Sequence, residues 1–187
     1  MTLLTLTSLK ELDQAVHAVH VAGERTVRSL RDLLANEADS VQVLRLLKFS
    51  ARVRPAGGDR PLNLIEQVNH TLTSLARLQA ARWVLEQHPE LLVQGVCVHL
   101  GPHTGVDLYS VAPDVMAAEV FAASHPGRHD RLRQDVARLQ EKAQNVLHRY
   151  VFFSCPGYAL GRQLELETVP GIAVWSLPVE QGLKGRP

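Results

Sequence analysis

Residues 105–122, GVDLYSVAPDVMAAEVFA, hold two short apolar runs on either side of an Ala112-Pro113-Asp114 turn. Val106 to Val111 and Met116 to Ala122 both have strand composition, and the Pro-Asp pair between them reverses the chain. Just upstream, Val96, Val98 and Leu100 alternate with Cys97 and His99, ahead of a Gly101-Pro102-His103-Thr104-Gly105 turn. Three short strands separated by turn residues predict an antiparallel meander.

Outward from the meander the period changes. Downstream, Pro126-Gly127 opens a helical pattern that runs to about His148 and faces Leu132, Val136, Leu139, Ala143 and Val146 inward. Tyr150 to Ser154 and Ile172 to Leu177 then have the composition of buried strands. A strand–helix–strand step over 116–154 implies one parallel pair with a right-handed crossover. Upstream, Leu62, Ile65, Val68, Leu72, Leu75, Ala76, Trp83 and Val84 mark one face of a long helix from about Leu62 to His88, ended by Pro89. The fold class expected is α/β (α+β): a mixed sheet of about four to five strands flanked by helices.

Before this core, Ser8 and Glu11 form an S-x-x-E capping box. Leu9, Leu12, Val16, Val19, Leu30 and Leu33 follow with a heptad-like spacing to about Ala35. This predicts either a helix packed on its own domain or a homodimerisation arm. A second short helix is expected over Val41 to Lys48 with Ser40 as its cap. The stretch Pro55-Ala56-Gly57-Gly58-Asp59 reads as a linker, and Lys48, Arg52, Arg54 and Arg60 around it make a local basic cluster suited to a nucleic-acid backbone. The expected organisation is a helical arm and basic linker over 1–60, dispensable for folding, an α/β core over 61–178 and a flexible tail over 179–187.

Composition narrows the function classes. The chain has 187 residues and a net charge of +1, so any anionic partner must meet a local patch rather than a global field. The two cysteines, Cys97 and Cys155, lie in apolar runs and read as buried free thiols, which fits a reducing, cytoplasmic setting. No apolar run approaches the ~20 residues that span a bilayer, and no leader-like segment opens the chain. Neither phosphate-binding glycine motif occurs, so ATP or dinucleotide binding has no support.

Three acids stand out by position: Glu66 on the long helix, Asp107 at the start of the second meander strand, and Glu119 inside the apolar run of the third. A carboxylate in such a strand is costly to bury without a donor or a cation. Pairing of the two strands would bring Asp107 and Glu119 together, and an oxygen-rich pair of this kind suits Mg²⁺ or Mn²⁺. His99, His103 and Asp107 make a weaker alternative as a Zn²⁺ set.

These residues and the helix–three-strand–helix–strand order over about Leu62 to Ser154 resemble the PD-(D/E)xK, or restriction-endonuclease-like, nuclease superfamily. The resemblance implies a metal-dependent DNA endonuclease. Asp107 then matches the metal-binding aspartate, Glu119 the acid of the E-x-K element and Glu66 the helix acid of many members. The lysine position of E-x-K holds Phe121. Another cation must serve, and Arg131, Arg133 and Lys142 of the next helix are the candidates; otherwise the chain is a non-catalytic nucleic-acid or protein binding module. Arg128 joins Arg131 as a DNA-backbone contact three residues away on one helix side.

Overall fold

The structure, a computed structural model, describes residues 3–37, 39–53, 61–101, 103–123 and 129–178, with only the backbone course for 51–53 and 129. In chain order the elements are β1 (Leu3–Leu6), α1 (Leu9–Asn36), α2 (Ser40–Phe49), β2 (Ala51–Val53), β3 (Leu62–Asn63), α3 (Leu64–Gln87), β4 (Val96–His99), β5 (Leu108–Ser110), β6 (Met116–Ala122), α4 (His129–Lys142), β7 (His148–Ser154), β8 (Gly161–Arg162) and β9 (Ile172–Ser176). Among the described residues, seven strands form a mixed sheet in the order β1-β4-β5-β6-β7-β9-β8, and β2 pairs β3 in a separate ribbon. β1, β4, β5 and β6 are antiparallel neighbours, whereas β6-β7 and β7-β9 are parallel. No helix among these residues is long and apolar enough to cross a membrane.

The pleat of β6 divides the core. Met116, Ala118 and Val120 face a cluster with Leu12 and Val19 of α1 and Leu78, Ala81, Val84 and Leu85 of α3. Ala117 and Phe121 face the other cluster, with Leu132, Val136 and Leu139 of α4. Side chains two apart on a strand share a face, so Glu119 lies on the α4 side. The sheet is thus a central layer with α1 and α3 on one face and α4 on the other. Cys97 and Cys155 are buried free thiols.

The meander, the parallel step through α4 and the mixed α/β class agree with the sequence reading. The sheet is wider than the four to five strands expected, because β1 and the two-residue β8 extend its edges. The cap of α2 is Asp39, whose carboxylate accepts from the amides of Val41 and Gln42, not Ser40. α4 is described over His129–Lys142 and ends short of the expected His148; the expected start at Pro126-Gly127 lies outside the described residues.

The N-terminal segment is not a separable arm. β1 pairs along β4 from Leu3↔His99 to Leu6↔Val96, and Leu6, Leu12 and Val19 are buried in the main core. The heptad-spaced Leu12, Val19 and Leu33 turn inward within their own chain. An edge strand supplied by the first residues pairs a strand more than ninety positions away, which no local periodicity encodes. The tail over 179–187 lies outside the described residues.

Leu12→Ala should therefore lower unfolding free energy by about 2–5 kcal/mol, the cost of emptying a fully buried leucine site. Leu34→Ala, at a position 57% exposed, should change it by about 0.5 kcal/mol or less. Urea titration of the two variants checks both, and a small effect at Leu12 would restore the picture of a dispensable arm.

Candidate functional site

The ladders place three titratable side chains in a row. Val98↔Leu108 and Leu108↔Ala118 fix the registers, so continuing them sets His99 opposite Asp107 and Asp107 opposite Glu119. The His99 amide donates to the Asp107 carbonyl at 2.9 Å, which confirms the first step. Directly opposed residues on antiparallel strands project to the same face with Cβ atoms roughly 5 Å apart. Next in the row, Val151 and Val174 belong to the apolar cluster under α4. The polar part of the row ends where α4 covers the sheet.

Asp107 is held from several directions. Its Oδ2 accepts from the Val120 amide at 2.7 Å. Arg77 of α3 pairs with Oδ1, and His103 Nε2 stands 3.3 Å from the same oxygen. Arg77 also donates to the carbonyl of His99 at 2.9 Å and reaches that of Gly101 at 3.5 Å, which ties it to the end of β4. His103 stacks on His99 with ring centroids 4.2 Å apart and planes 8° apart. Lys142 donates to the Thr104 carbonyl and so pins the turn carrying His103 to the end of α4.

Glu119 is fully buried, and its Oε2 accepts from Arg138 Nη1 at 2.8 Å. Arg138 also lies 3.6 Å from Asp135 Oδ1, and Arg131 donates to Asp135 Oδ2 at 3.1 Å. The helix phase explains this set. At ~100° per residue, Arg131, Asp135, Arg138 and Lys142 fall within one narrow stripe of α4. That stripe borders the apolar one formed by Leu132, Val136, Leu139 and Ala143.

Among the described residues, Asp107 Oδ1, Glu119 Oε1 and Asp135 Oδ1 are buried oxygens without an aligned hydrogen-bond donor. For Asp107 and Asp135 the ion pairs above offset this in part. For Glu119 Oε1 no ion pair does so. Burial, then the charge and hydrogen bonding of Asp107 and the charge of Asp135, push the Glu119 carboxyl up to about 8, against the pull of Arg138. Burial raises Asp135 to about 6, with Arg131 and Arg138 opposing and Asp107 adding to the rise. Burial, with His103 and Arg77, lowers His99.

The candidates read from sequence therefore divide. Asp107 and Glu119 meet, and Arg131 joins them through Asp135. Arg133 does not: two residues from Arg131 it points roughly 200° around the helix, is 80% exposed and lies 3.9 Å from Asp130. Glu66 does not either. It is exposed, and its carboxylate accepts from the Asn63 amide in a capping box at the start of α3. It stands eleven residues before Arg77, roughly 16 Å along the helix. Lys48 is exposed on α2, which packs against the first turn of α3 through Leu46, Leu47 and Leu64 and so lies away from the acids. Arg52 lies in β2, its side chain outside the described residues, as are Arg54, Arg60 and Arg128. Arg77, Asp135 and Arg138 belong to this cluster but were not among the catalytic or metal candidates read from sequence. The signal for Asp135 and Arg138 was their spacing from Arg131 along one stripe; Arg77 carried none, because α3 lies on the opposite face and reaches Asp107 only past the end of the sheet.

No group of three or more histidine, cysteine or acidic side chains among the described residues is arranged as a metal cage. That includes the set of His99, His103 and Asp107. The raised carboxyls carry a pH signature. Folding takes up protons at groups that the unfolded chain holds only below ordinary values near 4. Stability contributed by the protonated forms is present at low pH and is lost as pH rises toward 6 for Asp135 and 8 for Glu119. Denaturation midpoints should therefore decline between pH 6 and pH 8, and Glu119→Gln should flatten that decline. An unchanged slope in Glu119→Gln would remove Glu119 as its source.

No protein-family model matches this chain, and no curated protein or solved structure matched it.

Proposed function

We propose that this chain hydrolyses phosphodiester bonds in DNA with the help of Mg²⁺ or Mn²⁺ held at Asp107 and Glu119. The observation that carries the reading is the direct cross-strand opposition of these two acids, each with a buried oxygen that lacks an aligned donor. Mg²⁺ is commonly held by one or two carboxylates together with water and substrate phosphate rather than by an all-protein cage, so the donor set fits. The succession α3, β4, β5, β6, α4, β7 gives the same reading a scaffold of restriction-endonuclease-like order.

Within this reading the chain's own groups have separate tasks. The Val120 amide and Arg77 orient Asp107, and His103 closes over it from the turn. Phe121 stacks on Phe153 with ring centroids 5.7 Å apart and packs beneath α4, so β6 offers no cation of its own. Arg138, bonded to Glu119 and 31% exposed, and Arg131, bonded to Asp135 and 42% exposed, are cations that reach both the acid cluster and solvent. A guanidinium stays charged and binds phosphate oxygens through a planar fork. The bound cation would activate water and offset charge developing on the phosphate.

A second reading keeps the scaffold without catalysis, as a nucleic-acid or protein binding module. It is favoured by the pairing of every acid in the cluster: Asp107 meets Arg77, Glu119 meets Arg138, and Asp135 meets Arg131 and Arg138. Such a network can persist as a structural feature.

The two readings separate in one assay. Cleavage of plasmid and single-stranded DNA with Mg²⁺ or Mn²⁺, with chelator controls, should be seen in the wild type. It should fall by ~10²–10³ or more in Asp107→Asn and Glu119→Gln. Glu66→Gln should cleave as wild type does, because its carboxylate serves the α3 cap. Chelator-insensitive or absent cleavage, with no Mn²⁺ binding, would leave the binding module.

A further inference from the structure

We propose that Arg138 is an exchangeable counter-ion: it neutralises Glu119 and Asp135 in the cation-free protein and leaves them when a divalent cation binds, its guanidinium then taking the substrate phosphate in place of the missing strand lysine. This rests on the divalent-cation reading of the Asp107–Glu119 pair and adds a residue and an order of events to it.

Three features single out Arg138. It is the cation bonded to Glu119, at 2.8 Å, and it also approaches Asp135. Its side chain is 31% exposed while both acids are wholly buried, so it lies between the acids and solvent. Arg77 is placed differently. Its side chain is 11% exposed and is tied to Asp107 and to the carbonyls of His99 and Gly101, which leaves it no exit. Arg131 has an exit but, among the described residues, pairs with Asp135 and not with Glu119. Glu119 Oε1, buried and without a partner, marks the side of the carboxylate that Arg138 does not use.

The energetics set the direction. Above the Glu119 pKa of about 8, three acids and three arginines balance, and a medium of low effective dielectric penalises two further positive charges. A cation with no route out must stay, whereas Arg138 can move to water at the cost of one charge-assisted hydrogen bond. Once displaced, it stands at the site where a phosphate brings the negative charge that restores the balance. Phe121 occupies the position from which a lysine would have served.

The test uses the full chain and Mn²⁺ as probe, titrated by electron paramagnetic resonance or calorimetry at pH 8.5. Arg138→Gln should bind Mn²⁺ about ten-fold more tightly than wild type and cleave DNA ~10²–10³ more slowly at saturating Mn²⁺. Arg133→Gln, exposed on the far side of α4, should match wild type in both. Where Arg138→Gln fails to fold, Arg138→Met keeps the aliphatic stem and carries the same expectation. Unchanged or weaker Mn²⁺ binding in the folded variant, with wild type binding and cleaving, overturns the exchange and leaves the nuclease reading intact. A wild type that neither binds Mn²⁺ nor cleaves overturns both.

Discussion

The burial of Glu119 on β6 is the constraint around which the other half of the molecule is arranged. A carboxylate with no exposed surface, on a strand otherwise lined by Ala117 and Phe121, cannot remain charged without a donor beside it. Arg138 supplies that donor from α4, and the approach of Arg138 requires α4 to lie across β6 with its polar stripe turned to the strand ends. The same stripe brings in Asp135 and Arg131. Just ahead of the next strand Asp107 adds a second charge, and it draws Arg77 from the other face of the sheet around the strand end. Two helices on opposite faces are thereby joined through one buried set of charges.

Such a set is a weak source of net stability, because desolvating each charge offsets much of what the pairs return. Burial, with the neighbouring acids adding to it, raises two of the three carboxyl pKa values, and one oxygen of Glu119 lacks an aligned donor. An apolar row continuing Val151 and Val174 across the sheet would avoid these costs. Unsatisfied buried groups at the edge of a covering helix, gathered with arginines that reach solvent, call for an explanation beyond packing.

Much of the fold was legible in the residues. The two-residue alternation and turn residues of 96–122 gave the meander. The 3.6-residue spacing of Leu132, Val136, Leu139 and Ala143 gave α4, and the placement of Asp107 and Glu119 near the facing positions of adjacent strands gave the facing acid pair. What failed did so for physical reasons. Glu66 carries the same chemistry as the other acids, but a glutamate three residues after Asn63 completes a capping box, and the local hydrogen bond took it. Arg133 was chosen by proximity in sequence to Arg131, where helical phase sets it on the other side.

The sequence by itself determined the periods, and with them which segments became helices and strands and which acid sat in which strand, because period and capping are short-range properties of the chain. Tertiary structure decided the rest. Leu3–Leu6 is too short to declare itself and became a strand by pairing with β4, which turned an apparent arm into part of the sheet. Which arginine meets which acid was settled only when α3 and α4 closed on opposite faces, since ion pairs between distant segments depend on where packing sets the helix axes. Arg77 and Arg138 are ordinary helix residues until the sheet beneath them places Asp107 and Glu119 within reach.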